Sequence, residues 1–149
     1  MEITVRRAAE NDAQALYTLN REFNGAEGTS SVDGIARSLR ENPIETVILA
    51  LVDGTPAGFA CGQVHESMCY PSAPGELTEL YVREEYRRRG VASRLLDALE
   101  GEFRGRSIPE LLLVTGADNE VARAFYESRG YRTTGHAIYL KLLNETENK

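Results

Sequence analysis

The stretch from Glu76 to Phe103 constrains this chain more than any other. Its first seven residues, Glu76-Leu77-Thr78-Glu79-Leu80-Tyr81-Val82, are rich in strand formers and read as a half-buried strand. From Val91 the period changes. Val91, Leu95 and Leu99 fall at i, i+4 and i+8, with Ala92, Leu96 and Phe103 beside them, which is the pattern of an amphipathic helix. Between strand and helix lies a loop carrying Arg87, Arg88, Arg89 and Gly90. The first N–H groups of a helix have no internal partner, and the macrodipole is positive there. A glycine lets an anion approach the backbone, and arginines add charge-assisted bonds. The loop therefore reads as a pyrophosphate cradle, against the plainer alternative of a basic loop that only caps a helix. It is neither a G-x-G-x-x-G turn nor a P-loop.

Arg87-x-x-Gly90-x-Ala92 resembles the R/Q-x-x-G-x-G/A signature of the GCN5-related N-acetyltransferase (GNAT) superfamily, preceded as in that family by a strand written Leu80-Tyr81-Val82. One β–α unit later, the run from Asn119 to Tyr131 resembles the family's N-x-x-A-x-x-F/L-Y-x-x-x-G-F/Y, with Ala122, Phe125, Tyr126 and Gly130 in register. Both motifs occur in the family's order and spacing, and the resemblance covers essentially the whole chain.

Composition is consistent with this. A chain of 149 residues suits one domain, here residues 1–143 followed by a polar tail, 144–149. Hydrophobic content of 42% and charged content of 27% point to a soluble globular protein. The longest apolar run, near Val47 to Val52, is too short to span a bilayer, and no signal-peptide pattern opens the chain, so a cytoplasmic location without a membrane partner is expected. The net charge of −6 argues against nucleic acid and is compatible with a cationic substrate, or with nothing beyond solubility. Cys61 and Cys69 lack metal-ligand spacing, so no metal site is expected. The sequence leaves a homodimer open.

Residues 2–8 read as a first strand, followed by a helix capped by Asn11 or Asp12 and carrying Leu16, Leu19 and Phe23. Asn24 to Ser30 breaks that helix, and a second runs from Val32 to Arg40. Thr46 to Val52 and Ala57 to His65 form a hairpin through Asp53-Gly54. Leu111 to Thr115 reads as a buried strand, and a helix capped by Asp118 or Asn119 ends near Gly130. Tyr131 to Thr133 and Ala137 to Leu143 are expected to close the sheet as a second hairpin. The residues alone give a mixed α/β domain. The resemblance implies the specific GNAT fold: a mixed central sheet of about seven strands, helices on both faces, and a splayed cofactor cleft between the fourth and fifth strands.

The resemblance also assigns roles. Acetyl-coenzyme A is the implied cofactor, held by Leu80, Tyr81, Val82, Arg87, Arg88, Arg89, Gly90, Val91, Ala92, Ser93, Asn119 and Tyr126. The Leu80 N–H would stabilise the oxyanion, and Tyr126 would be the acid for the departing thiolate. An alkyl amine near pKa ~10.4 must lose a proton before it attacks a thioester, so the site wants a base. Glu79 is the first candidate, since relatives acting on polyamines and aminoglycosides carry an acidic residue there. Glu76 is second. Their odd separation puts them on opposite faces of a regular strand, although the family often bulges this strand. His65 is a third candidate. Bacterial acetyltransferases of ribosomal-protein N-termini resemble the chain in both motifs but carry their glutamate where this chain has Val114. The expected activity is transfer of acetyl to a primary amine of a small molecule (polyamine-, aminoglycoside- or amino-acid-like) by direct attack. The alternatives are acetylation of a protein N-terminus or lysine, and a non-catalytic acyl-CoA-binding or sensing domain.

Overall fold

The computed structural model of the protein describes residues 1–144. Most of the expected tail, 144–149, therefore lies outside the described residues. The chain divides into two compact units, one of residues Met1–Val114 and one that begins at Thr115.

The first unit holds a sheet whose strands lie in chain order: β1 (Ile3–Arg7), β2 (Glu45–Val52), β3 (Thr55–Val64), β4 (Gly75–Val82) and β5 (Leu111–Leu113). The first four pair antiparallel, and β4 and β5 pair parallel, so the sheet is mixed. The β2–β3 hairpin turns on Asp53 and Gly54, at φ 48° and 83°. Two positive φ values in a two-residue turn match the right-handed strand twist, which is why Asp-Gly serves there.

Three helices clothe this sheet: α1 (Ala13–Asn24), α2 (Val32–Glu41) and α3 (Val91–Gly105). Leu16 and Leu19 of α1 pack with Leu49, Phe59 and Cys61, and Ile35 and Leu39 of α2 join them. The alternate residues of the strands face α3, whose Val91, Leu95, Leu96 and Leu99 are fully buried. Gly62 and Gly75 make this contact close: a Cβ on either would stand within 3 Å of the α3 side chains Leu99 or Phe103. Helices therefore lie on both faces, as expected.

The caps differ in part from the sequence reading. Ser31 caps α2, accepting from the Gly34 N–H at 3.0 Å. Asp12 precedes α1 but does not cap it. Its carboxylate accepts from the Ala9 N–H at 2.7 Å and from Arg6 at 2.7 and 2.9 Å, and the Arg6 bonds hold its pKa below the usual aspartate value.

The second unit contains α4 (Glu120–Ser128). Asn119 Oδ1 caps it, accepting from the Ala122 N–H at 3.1 Å. Gly130, at φ 93°, ends it, with the Tyr131 N–H returning to the Tyr126 carbonyl at 3.0 Å. Among the described residues the expected closing hairpin is not formed. Thr134-Gly135 does turn, with Gly135 at φ 81° and the Thr134 hydroxyl accepting from the His136 N–H at 3.1 Å, but no strand flanks it. The described sheet therefore has five strands where about seven were expected. A strand exists only through its ladder, and an apolar run beside a turn does not supply one. In the same way β5 stops at Leu113, short of the expected Thr115. Among the described residues no helix is long and apolar enough to cross a membrane.

Candidate active site

The register of β3 and β4 shifts between Cys61 and Gly62: Gly62 faces Leu77, Cys61 faces Glu79, and Thr78 is the extra residue. The Thr78 hydroxyl donates to the Cys61 carbonyl at 3.1 Å, within the bulge itself. This bulge has two consequences. The first concerns side chains. Glu76 pairs with Gln63 and Glu79 with Cys61, and Gln63 and Cys61 are two residues apart on β3, so both glutamates stand on the same face. The opposite-face placement of a regular strand does not hold. The second concerns the backbone. The Arg83 N–H donates to the Ala57 carbonyl, so Tyr81 and Glu79 turn their backbone toward β3, and Leu80 and Val82 turn theirs away.

The side they turn toward is open. Parallel pairing of β4 with β5 covers Gly75 to Leu77 and ends at Leu77–Leu113, although β4 continues to Val82. Among the described residues, the β4 edge from Leu80 onward has no strand partner in the direction of β5. The Arg87 guanidinium lies on that edge, its Nε donating to the Val82 carbonyl at 2.8 Å.

The loop after β4 makes a single turn of 3₁₀ helix at Glu84–Tyr86 and then reverses into α3. Arg88 has φ 63° and Gly90 φ 85°, so two left-handed residues flank Arg89. Successive turns of this kind gather backbone N–H groups into an anion-binding concavity. The N–H groups of Val91, Ala92 and Ser93 lie ahead of the first bond into α3, which the Arg94 N–H makes to the Gly90 carbonyl at 3.1 Å. A Cβ on Gly90 would meet no protein atom within 4 Å, so the protein's own packing does not fill that space. The residues thus fit a bound pyrophosphate. The three arginines are not equivalent. Arg87 is committed to Val82 and lies over the Tyr81 ring at 5.9 Å, while Arg89 reaches toward the Met1 sulfur at 3.8 Å. Tyr81 is fixed from the α1 side, where its ring stacks on Phe23 at 5.1 Å and its hydroxyl donates to Glu22 at 3.0 Å.

On the face carrying Glu76 and Glu79, three rows cross β2, β3 and β4. Leu49, Phe59 and Tyr81 form an apolar row. Next comes Val47, Cys61 and Glu79, and then Glu45, Gln63 and Glu76. The face therefore passes from core to carboxylates within a few residues. Burial raises the pKa of Glu79. Glu45 is raised by burial first and then by the charge of Glu79, while a bond from the Cys61 thiol lowers it. Burial, with both carboxylates near, pushes the Cys61 thiol well above its usual value, which leaves it a poor nucleophile. His65 Nε2 stands 2.8 Å from Glu76 Oε1, so two of the three base candidates form one pair. Glu45 was not singled out in sequence. It belongs to no motif, and the charge of Glu79 reaches it only through strand register.

The remaining expected site residues lie in the second unit. Asn119 acts as the helix cap. Tyr126 is half-buried, with the rings of Phe125 and Tyr131 at 5.3 and 5.9 Å, and burial raises its phenol above the usual pKa.

The Acetyltransferase (GNAT) family model matches residues 11–131. A protein of Yersinia pestis (strain Pestoides F) named acetyltransferase is 32% identical over 99 residues, which is 66% of this chain and 65% of that protein. The chain thus matches slightly less than two thirds of that relative's length. Among solved structures, the aminoglycoside N-acetyltransferase AAC(6')-Iy in complex with CoA superposes with a TM-score of 0.81 at 18% identity, over 95% of each chain. A ribosomal-protein-alanine N-acetyltransferase from Brucella melitensis biovar Abortus 2308 superposes with a TM-score of 0.79 at 21% identity, over 95% of this chain and all of that one. At such identities the superpositions speak for the fold alone. With the family match spanning both motifs, the chain belongs to the GNAT acetyltransferase family.

Proposed function

We propose that the protein is an acetyl-CoA-dependent N-acetyltransferase acting on a primary amine of a small molecule. The observation that carries this reading is on β4, where a backbone edge open at Leu80 adjoins a half-buried carboxylate at Glu79. Acetyl-CoA, when bound, supplies an acetyl group activated as a thioester. The loop from Arg87 to Gly90 and the N–H groups of Val91, Ala92 and Ser93 hold its pyrophosphate. The free edge at Leu80, next to the Val82 carbonyl that Arg87 occupies, accepts the pantetheine arm, with Tyr81 packed beneath it, and Asn119 adds a polar contact.

In the transfer, the amine nitrogen forms a bond to the acyl carbon and the carbon–sulfur bond breaks. Glu79 takes the proton that the ammonium must lose, with the Glu76–His65 pair as the alternative acceptor. The Leu80 N–H offsets negative charge developing on the acyl oxygen. Tyr126 donates a proton to the departing sulfur, and the second proton that the nitrogen loses on becoming an amide restores the phenol through solvent. Burial that keeps the Tyr126 phenol protonated supports this role, and burial that raises Glu79 toward neutrality suits a base. The buried, high-pKa thiol of Cys61 favours direct attack over a covalent route. Val114 stands where protein N-terminal acetyltransferases of this type carry their glutamate, which favours a small-molecule acceptor.

The test is a thiol-release assay with acetyl-CoA over a panel of polyamines, aminoglycosides, amino acids and an N-terminal peptide. Turnover of a small amine above that of the peptide is expected. Turnover of the peptide alone would overturn the acceptor class. Binding of acetyl-CoA without turnover of any amine would leave a sensing domain.

A further inference from the structure

Glu22 lies in the last turn of α1, 59 residues before Tyr81 and outside both sequence motifs, yet it is bonded to the strand that leads into the arginine loop. Its Oε1 accepts from the Tyr81 hydroxyl at 3.0 Å and from Arg83 Nε at 3.1 Å, and its Oε2 meets Arg83 Nη2 at 2.9 Å. The carboxylate thus receives the guanidinium as a fork and the phenol as a third donor. The Glu22 and Arg83 side chains are each 30% exposed, so solvent screens the pair only in part. Phe23, the next residue of α1, lays its ring on that of Tyr81, with centroids 5.1 Å and planes 23° apart. Two consecutive residues of α1 therefore fix one side chain of β4, by its hydroxyl and by its ring.

The groups that Glu22 fixes hold others in turn. The Arg87 guanidinium stands 5.9 Å from the centre of the Tyr81 ring, within cation–π range, while its Nε bonds the Val82 carbonyl. The Arg83 N–H donates to the Ala57 carbonyl at 2.8 Å, and the Arg83 carbonyl accepts from the Tyr86 N–H at 2.9 Å in the 3₁₀ turn. The chain entering the arginine loop rests on Tyr81 and Arg83, and both are tied to Glu22.

We propose that Glu22 is a positioning residue of the cofactor site: by holding Tyr81 and Arg83 it sets Arg87 against the β4 edge and keeps the loop from Arg83 to Gly90 in the form that accepts acetyl-CoA. This rests on the acetyltransferase reading above and adds to it a helix that carries neither motif. Glu22 acts through Tyr81 and Arg87, not by touching the cofactor. A loop held in place before binding loses less conformational freedom on binding, and affinity gains accordingly.

The test is a double-variant cycle. Acetyl-CoA affinity is measured calorimetrically for the wild-type protein, Glu22→Ala, Glu22→Gln, Arg87→Ala and the Glu22→Ala/Arg87→Ala pair, and urea unfolding is followed for each without cofactor. Glu22→Ala should weaken acetyl-CoA binding by about 10-fold, the value of one partly buried charge-assisted contact. Glu22→Gln keeps an acceptor for the Tyr81 hydroxyl and should lose less, about threefold. In thiol release the loss should fall chiefly on KM for acetyl-CoA. With Arg87 already replaced, removing Glu22 should weaken binding by no more than about twofold, because the group through which it acts is gone. A merely structural Glu22 predicts lower unfolding stability with wild-type affinity, or losses of affinity that multiply in the double variant. Either result overturns the proposal and leaves the acetyltransferase reading standing. A wild type that does not bind acetyl-CoA sinks both. Should Glu22→Ala fail to fold, Glu22→Gln takes its place in the cycle, and wild-type affinity there overturns the proposal.

Discussion

Glu76 and Glu79 share one face of β4 although they are three positions apart, because Thr78 has no counterpart on β3. The two carboxylates nevertheless have different surroundings. Glu76 is held by His65 at 2.8 Å, whereas Glu79 has no such partner among the described residues and sits beside Leu80, whose backbone turns away from β3. That difference is why Glu79 is proposed as the base and Glu76 as the auxiliary. Glu79→Gln should lower kcat by ~10²–10⁴-fold, the range of general base catalysis, and Glu76→Gln by much less. The sign of the pH dependence follows from burial. Glu79 must be ionised to accept a proton, and its pKa is raised, so activity falls with acidification at a higher pH than an ordinary glutamate would give. The acid limb of kcat/KM should disappear in Glu79→Gln. A limb of unchanged position in that variant would assign it to another group.

Gly90 offers a way to separate backbone strain from ligand exclusion. Its φ of 85° disfavours any side chain by about 1 kcal/mol, but an added Cβ meets nothing within 4 Å. Gly90→Ala and Gly90→Glu should therefore both fold, with similar small losses of melting temperature. Only Glu puts bulk and negative charge where the phosphates are proposed to sit, so its KM for acetyl-CoA should rise far more than that of Ala. Equal cofactor KM values in the two variants would remove the loop from the cofactor site.

The sheet's approach to α3 can be tested in the core. A Cβ on Gly75 would lie 2.7 Å from two carbons of the Phe103 ring, which is only 3% exposed and has little freedom to withdraw. Gly75→Ala should destabilise by roughly 1–3 kcal/mol, the usual cost of overpacking. Because Gly75 begins the short β4–β5 pairing, cofactor affinity should fall with it. Combining it with Phe103→Leu should restore part of the stability, measured by chemical denaturation. Additive losses in the double variant would show that the clash is not with Phe103.

The parts of the site legible in sequence were those written locally. The strand, the arginine loop, Gly90 and α3 follow one another without a gap, and each has its own signal: β-formers, a left-handed glycine and a helical period. Asn119 and Gly130 were likewise visible as the two ends of one helix. Relationships between strands were not legible. Whether Glu76 and Glu79 share a face depends on a single extra residue in a pairing with β3, and the influence of Glu79 on Glu45 needs the register of three strands. The commitment of Arg87 to the Val82 carbonyl rather than to a free phosphate-binding pose is also a tertiary fact. The expected closing hairpin failed for the same reason, since Thr134-Gly135 specifies a turn but no residue there specifies a partner strand.

Tyr126 tests the other half of the proposed proton balance. A thiolate leaving group has a pKa near ~8.5 and can depart without full protonation at neutral pH, so the phenol's contribution should stay within the ~10²–10⁴-fold of general acid catalysis. Burial raises the Tyr126 pKa above its usual value, which keeps the O–H in place across the neutral range and confines its loss to strongly alkaline pH. Tyr126→Phe keeps the ring and its packing against Phe125 and Tyr131 while deleting the proton. Melting temperature and acetyl-CoA affinity should change little, and kcat should fall. The measurement belongs in single turnover, where slow product release does not mask the chemical step. A structural tyrosine whose hydroxyl only bonds locally predicts acetyl transfer close to wild type in the same experiment. If the Phe variant transfers acetyl within about twofold of wild type, far short of the loss expected of a general acid, the proton on sulfur comes from water and Tyr126 is a packing residue.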